Sequence, residues 1–241
     1  MPLSLSGSVV LVTGANGGLG REFVAQALAL GAAKVYATAR TPLAADEWAD
    51  ARIVPLALDV TSEASVAAAA AAASDTTVII NNAAISNRVD SLLEAPFDDI
   101  RNTFETNFFG AVTVARAFAP VVEANGGGGF LHVQSALSWV AFPFHGAYSA
   151  SKSAFWSASN SMRLELAPRG IQVTSLHLGY ADTPMTEGID SPKNDPADVV
   201  RDALAGFEAG EHEVLADDLS VTVKRNLSTR VEEIYPALAG A

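Results

Sequence analysis

The 241-residue chain has no cysteine. A disulfide framework and every thiolate metal site are therefore excluded. Histidine is scarce, and His132, His145, His177 and His212 include no pair at the i, i+4 spacing of a helical zinc site. Positive charge is short as well: 15 Lys and Arg stand against 27 Asp and Glu, a formal net charge of −12. A surface of that sign disfavours nucleic acid and anionic membrane as partners. No apolar run approaches the length of a membrane span. The first, Val9–Val12, is short, lacks a basic segment before it and leads straight into glycines, so it reads as a strand and not as a signal peptide. A cytoplasmic protein is the resulting expectation.

Apolar residues are plentiful at 49%, with 17% charged, a globular composition. The length suits one domain covering 1–241. Val9–Val12 is followed by Thr13-Gly14-Ala15-Asn16-Gly17-Gly18-Leu19-Gly20 and then a helical pattern that ends at Gly31. Strand, glycine turn, helix is the context of a phosphate-binding turn. Glycines admit a pyrophosphate close to the backbone, and a helix N-terminus presents unpaired N–H groups. A bland tight turn is the alternative.

Lys34–Ala39 reads as the second strand. An NAD-binding protein places a ribose-binding acid near its end. Here the residues are Thr38-Ala39-Arg40, and the Arg40 guanidinium suits a 2′-phosphate, so NADP(H) is favoured over NAD(H), which stays open. Further strands are expected at Ile53–Leu58, Val78–Ile80, Phe130–Gln134, Ile171–Leu178 and Glu213–Ala216. Helical segments lie between them: one capped by Ser62 and built on Ala67–Ala73, a long one over Phe97–Ala124, one from Tyr148 to Leu166, one opening at Asp195-Pro196, and a closing one at Leu219–Leu227. Such alternation predicts an α/β fold, a doubly wound parallel sheet of about seven strands with helices on both faces. Ligands bind such sheets beyond the C-terminal strand ends, where Arg40, Asp59 and Ser135 fall.

Tyr148-Ser-Ala-Ser-Lys152 sets a phenol and an ammonium one helical turn apart. A free Tyr titrates near ~10. A cation at about 4 Å, with an effective dielectric of ~20, supplies roughly the ~4 kcal/mol needed to bring it near neutrality. The pair is thus a candidate general acid/base, with a surface Tyr beside a solvated Lys as the plain alternative. Asn107, among Phe104, Phe108 and Val112, ties helix to strand or holds a water in a cleft.

Taken together, TGANGGLG, Asp59-Val60, Asn81-Asn82-Ala83-Ala84, Asn107, Ser135 and Tyr148-x-x-x-Lys152, in that order, resemble the short-chain dehydrogenase/reductase family in its short single-domain branch. The resemblance runs from Leu5 to about Leu227 and implies a Rossmann-type fold and an Asn107–Ser135–Tyr148–Lys152 tetrad. It further implies that Gly14, Gly18 and Gly20 line the pyrophosphate, that Asp59 and Val60 reach the adenine, and that Asn82 and Ala83 lie along the nicotinamide ribose. Thr183 would bind the carboxamide, with Asn16, Leu19 and Ala181 as further cofactor contacts. Ser135 would orient a carbonyl, Tyr148 protonate it, Lys152 lower the phenol pKa and bind the ribose, and Asn107 hold a water. Ala84 and Leu178 depart from the family's N-N-A-G and Pro-Gly.

The implied activity is an NADPH-dependent carbonyl (ketone or aldehyde) reductase, reversible as a secondary-alcohol dehydrogenase. A non-catalytic dinucleotide-binding protein on the same scaffold is the alternative. Trp139, Phe142 and His145 are candidates to line a pocket for an apolar or aromatic substrate, with core packing as the competing fate. The stretch 179–195 lacks periodicity and is expected to cover the site. A dimer or tetramer is the expected assembly.

Overall fold

A computed structural model describes residues 3–86 and 91–238. Seven parallel strands form its one sheet: β1 (Val9–Thr13), β2 (Lys34–Ala39), β3 (Ile53–Ala57), β4 (Val78–Asn81), β5 (Gly128–Val133), β6 (Ile171–His177) and β7 (Glu213–Leu215). Their order across the sheet is β3-β2-β1-β4-β5-β6-β7. β1 is central, pairing Val10 with Val35 on one side and with Val78 on the other. That explains its unbroken apolar run, since a strand covered on both faces has no polar side to show. Chain direction across the sheet reverses between β1 and β4, the switch point at which such sheets open a crevice.

Helices cover both faces. One apolar layer packs α1 (Gly18–Ala29) and α6 (Pro196–Ala209) on the sheet through Phe23, Val24, Leu204 and Phe207. The other packs α2 (Glu63–Ala72), α4 (Ala111–Ala124) and α5 (Gly146–Leu166) through Val66, Phe118, Val122 and Leu166. The alanine run has a packing use here: Ala69 and Ala73 are buried, which lets α2 and α4 approach closely.

The long helix expected over Phe97–Ala124 is interrupted. α3 (Phe97–Phe104) gives way to a wider π turn at Glu105–Gly110 before α4 begins. π turns of this kind recur at functional sites. The Tyr148 helix starts at Gly146, and short helices α7 (Asp218–Asn226) and α8 (Val231–Ile234) close the chain. No described helix is long and apolar enough to cross a membrane.

Candidate active site

Around the switch point the C-terminal ends of β1, β2, β3, β4, β5 and β6 open into one cleft of about 780 Å³. Its floor is the glycine turn. Gly14 (φ 67°) and Gly18 (φ 54°) adopt backbone that L side chains rarely take, which turns the chain from β1 into α1. No side chain caps α1 at Gly17, and its first turn carries no acid, so its leading amides remain donors at the cleft. Gly20 serves differently. A Cβ there would sit 2.1 Å from the Gly14 carbonyl oxygen. It lets the helix close on the strand and does not line the cleft as expected.

The turn is braced from its neighbours. The Thr13 hydroxyl accepts from the Asn82 and Ala83 amides, both at 3.0 Å. Asn82 Nδ2 donates to the carbonyls of Thr13 (2.9 Å) and Gly14 (3.2 Å). Asn16 reaches the loop after β2, donating to Thr41 O at 2.8 Å and accepting from Leu43 N at 3.3 Å. Arg40 stands exposed on the same rim with Leu19, Asp59 and Val60. Hydrogen bonds from Thr61 hold the Asp59 carboxyl below its ordinary range, and the nearby Arg40 charge adds to that.

Opposite the turn, Ser135 follows β5 and Tyr148 rises from the first turn of α5. The Ser135 hydroxyl lies beside the Tyr148 phenol, near enough to act on its pKa. Ser135 Oγ accepts from Leu137 N at 3.1 Å and donates to Leu178 O at 3.4 Å, which fixes the hydroxyl at the cleft wall. Lys152, one turn along α5, is buried and donates to Val133 O at 2.8 Å. Its ammonium lies 5.7 Å from the centre of the Tyr148 ring.

One expectation about this group is corrected. Tyr148 is not made more acidic by Lys152: burial pushes the phenol up to about 12, opposed by the Ser135 hydroxyl and reinforced by Tyr180. Lys152 is itself desolvated, its pKa lowered to about 8, and its ammonium is turned to a backbone carbonyl. Asn107 is also committed. Its Oδ1 accepts from Ile85 N at 2.8 Å, and its Nδ2 donates to Ile85 O at 2.9 Å and Ser151 Oγ at 3.1 Å. A buried amide must satisfy its polar atoms, and here Ile85 and Ser151 take part in that. Through Ser151, which donates to Tyr148 O at 2.7 Å, this amide ties the π turn to the first turn of α5.

Of the aromatic candidates, Phe142 and His145 line the cleft and Trp139 does not. Trp139 stacks on the buried His177 at 3.9 Å between ring centres, and the Lys224 ammonium lies over the Trp139 ring, 4.6 Å from its centre. An indole gains more by stacking between apolar and cationic neighbours than by facing solvent.

The segment 179–195 forms the remaining wall, with Ala181, Thr183, Met185 and Ile189 at the cleft. A bridge pairs Ala181 with Asn194. Asp217 anchors it, a residue that sequence reasoning missed. Its carboxylate accepts from Gly179 N at 2.5 Å, Asn194 Nδ2 at 2.7 Å and Ser220 N at 2.7 Å. Tyr180, also missed, enters the cleft beside His145.

Sheet order, glycine turn and the Ser135–Tyr148–Lys152 wall define a Rossmann-type α/β protein. The profile of the short chain dehydrogenase family matches residues 8–194, and the chain belongs to that family. The NADPH-dependent 1-acyldihydroxyacetone phosphate reductase of Schizosaccharomyces pombe is 34% identical over 180 residues, which span 72% of this chain and 60% of that protein. This chain therefore spans less than two thirds of that relative. The 1-deoxy-11-beta-hydroxypentalenate dehydrogenase of Streptomyces avermitilis is 29% identical over 97% of this chain and 90% of its own length. Among solved structures, a short chain dehydrogenase from Burkholderia cenocepacia in complex with NADP superposes with a TM-score of 0.90, at 34% identity and covering 98% of this chain and 99% of that one.

Proposed function

We propose that this protein is an oxidoreductase that prefers NADP(H) and interconverts a carbonyl group with a secondary or primary alcohol. The observation that carries the reading is the Tyr148–Ser135 hydroxyl pair, set in the same cleft as a glycine turn with uncapped helix amides. Those amides fit a pyrophosphate, and glycine at 14 lets the turn lie against Asn82 and Ala83, where a Cβ would come within 3.1 Å of Ala83 Cα. Arg40 fits a 2′-phosphate, and NADP in the Burkholderia structure supports that choice.

A bound reduced nicotinamide would supply the hydride. The chain's own residues then handle the oxygen. Ser135 and Tyr148 present two hydroxyls that orient the carbonyl and stabilise charge as it develops there. Tyr148 delivers the proton. With its pKa near 12 the phenol is fully protonated at neutral pH, so it is ready as a donor. Alkoxides are still stronger bases, in the range of water at about 15.7, so transfer runs downhill without a lowered phenol pKa. An ammonium has three donors, and Lys152 gives one to Val133, leaving two for ribose hydroxyls. Thr183 and the backbone at Ala181 would hold the carboxamide end.

Charged side chains at the cleft, among the described residues, are Arg40, Asp59 and Lys152, all on the cofactor's path. An uncharged substrate follows. The test is a panel of aryl and alkyl ketones and aldehydes with NADPH and NADH, read as loss of reduced-cofactor absorbance. Turnover at least tenfold faster in kcat/KM with NADPH is expected. Equal rates with NADH would overturn the Arg40 reading, and no oxidation of either cofactor would overturn the reductase reading.

A further inference from the structure

Behind the Ser135 wall lies a cluster that the proposed reaction leaves unused. His177, at the end of β6, is buried, and its Nδ1 lies 3.1 Å from the Ser135 carbonyl oxygen. A carbonyl only accepts, so this contact assigns the ring proton to Nδ1. The other nitrogen, Nε2, is 3.7 Å from Glu213 Oε1, beyond hydrogen-bond reach. Burial lowers the His177 pKa to about 4, so the ring is neutral near pH 7 and carries that one N–H.

Side chains from other elements hold the ring. Trp139 stacks on it with the two planes 17° apart. Trp156, on α5, meets Trp139 edge-on at 6.2 Å between ring centres. Trp156 Nε1 donates to Glu213 Oε1 at 2.8 Å, and Lys224 Nζ donates to Glu213 Oε2 at 2.5 Å. The Lys224 ammonium lies over both indoles, 4.6 and 5.5 Å from their centres. Trp156 stands one turn beyond Lys152, on the helix that carries Tyr148. The cluster therefore joins the two walls of the site, the end of β5 with Ser135 and α5 with Tyr148.

Packing alone does not call for an imidazole here. A leucine would fill a similar volume without the cost of desolvating a polar ring. What the imidazole adds is a donor to the Ser135 carbonyl. That carbonyl also accepts from Ser138 N at 3.0 Å, a donor inside the same short turn, which cannot fix the turn against the sheet. Next to His177, Leu178 O accepts from Ala136 N at 2.8 Å and from the Ser135 hydroxyl at 3.4 Å. The second of these is long and weak, so the place of the hydroxyl is set by its backbone.

We infer that His177 is a positioning residue: it holds the Ser135 backbone, and through it the Ser135 hydroxyl, at the spacing from Tyr148 that carbonyl reduction needs. This rests on the carbonyl-reductase reading and adds a residue to its machinery. Misplacing an orienting group by about 1 Å costs on the order of 100-fold in rate.

The test compares His177→Asn, whose amide nitrogen can take the place of Nδ1, with His177→Leu, which has no donor. For each, kcat and KM are measured with an aryl ketone that the wild type reduces, together with the Kd for NADPH. His177→Leu is expected to lose about 10- to 100-fold in kcat, with KM and Kd within about threefold of wild type, and His177→Asn to stay within about fivefold in kcat. Equal losses in the two variants overturn the inference, because packing then accounts for both. A kcat for His177→Leu within about threefold of wild type overturns it too. A second readout needs no turnover: nitrogen-15 NMR of the protein labelled at histidine, with His177 assigned by its loss in either variant. The neutral Nδ1–H tautomer is expected at His177. The Nε2–H tautomer overturns the inference even where His177→Leu does not fold. Failure of the wild type to oxidise NADPH with any ketone or aldehyde is a different result, and it overturns the reductase reading itself.

Discussion

Arg40 stands exposed where β2 ends, close enough to Asp59 to help keep that carboxylate ionised. A guanidinium bonded to a phosphate is worth about 1.5–3 kcal/mol. Arg40→Ala should therefore raise the KM for NADPH by roughly 10- to 100-fold and leave that for NADH within about threefold. Parallel losses with both cofactors would show that Arg40 acts on the fold of the rim and not on the phosphate. Its place at the cleft rim was legible, because a residue just past the end of β2 falls where such sheets bind their ligands. Trp139 was not legible. Its position in an aromatic-rich loop suggested a pocket wall, but the direction of its ring depends on His177 and Lys224, from strands and helices far along the chain. Tyr148 and Lys152 were found by their spacing, whereas the sense of the phenol's pKa was not, since spacing reports proximity and says nothing of burial or of the carbonyl that takes the ammonium.

Each buried strand announced itself as a run of β-branched and aliphatic residues bounded by turn residues. Periodicity could not show the π turn at Glu105–Gly110, because one extra residue per turn leaves a helical pattern nearly intact. Its consequence is tertiary: Asn107 is turned to Ile85 and Ser151. Nor could local pattern show how 179–195 is held. Asp217 has the look of an ordinary N-cap, and its side chain does accept from Ser220 N. Its reach to Gly179 and Asn194 is visible only in the fold. Removing a partly buried carboxylate with three hydrogen bonds should cost about 2–3 kcal/mol. Asp217→Ala is accordingly expected to lower the urea midpoint and to raise the substrate KM more than it lowers kcat, because Tyr148 and Ser135 sit on other elements. A normal midpoint and KM would mean that the segment is held without it.

Across the whole molecule, the reversal of strand order between β1 and β4 decides where the cleft opens, and the residues gathered there come from six strand ends far apart in sequence. The same close packing traps two imidazoles. Burial lowers the His132 pKa to about 3 and that of His177 to about 4, from an ordinary 6.5. A lowered folded-state pKa means that the unfolded chain binds protons first as pH falls. Stability from these groups is therefore complete above pH 6.5 and is lost progressively between 6.5 and about 3–4. Urea midpoints should fall steadily from pH 7 to pH 5, a range largely above carboxylate titration, and a flat profile would contradict the burial of both rings.

The central claim is that the phenol of Tyr148 is the proton donor of a nicotinamide-dependent carbonyl reduction. Its most direct measurement is single-turnover oxidation of bound NADPH by a ketone substrate in Tyr148→Phe, alongside the Kd for NADPH. The account predicts a loss of at least a thousandfold in rate, within the range of general acid catalysis combined with oxyanion stabilisation, and a Kd within about threefold of wild type. Turnover within tenfold of the wild type at an unchanged Kd would contradict it.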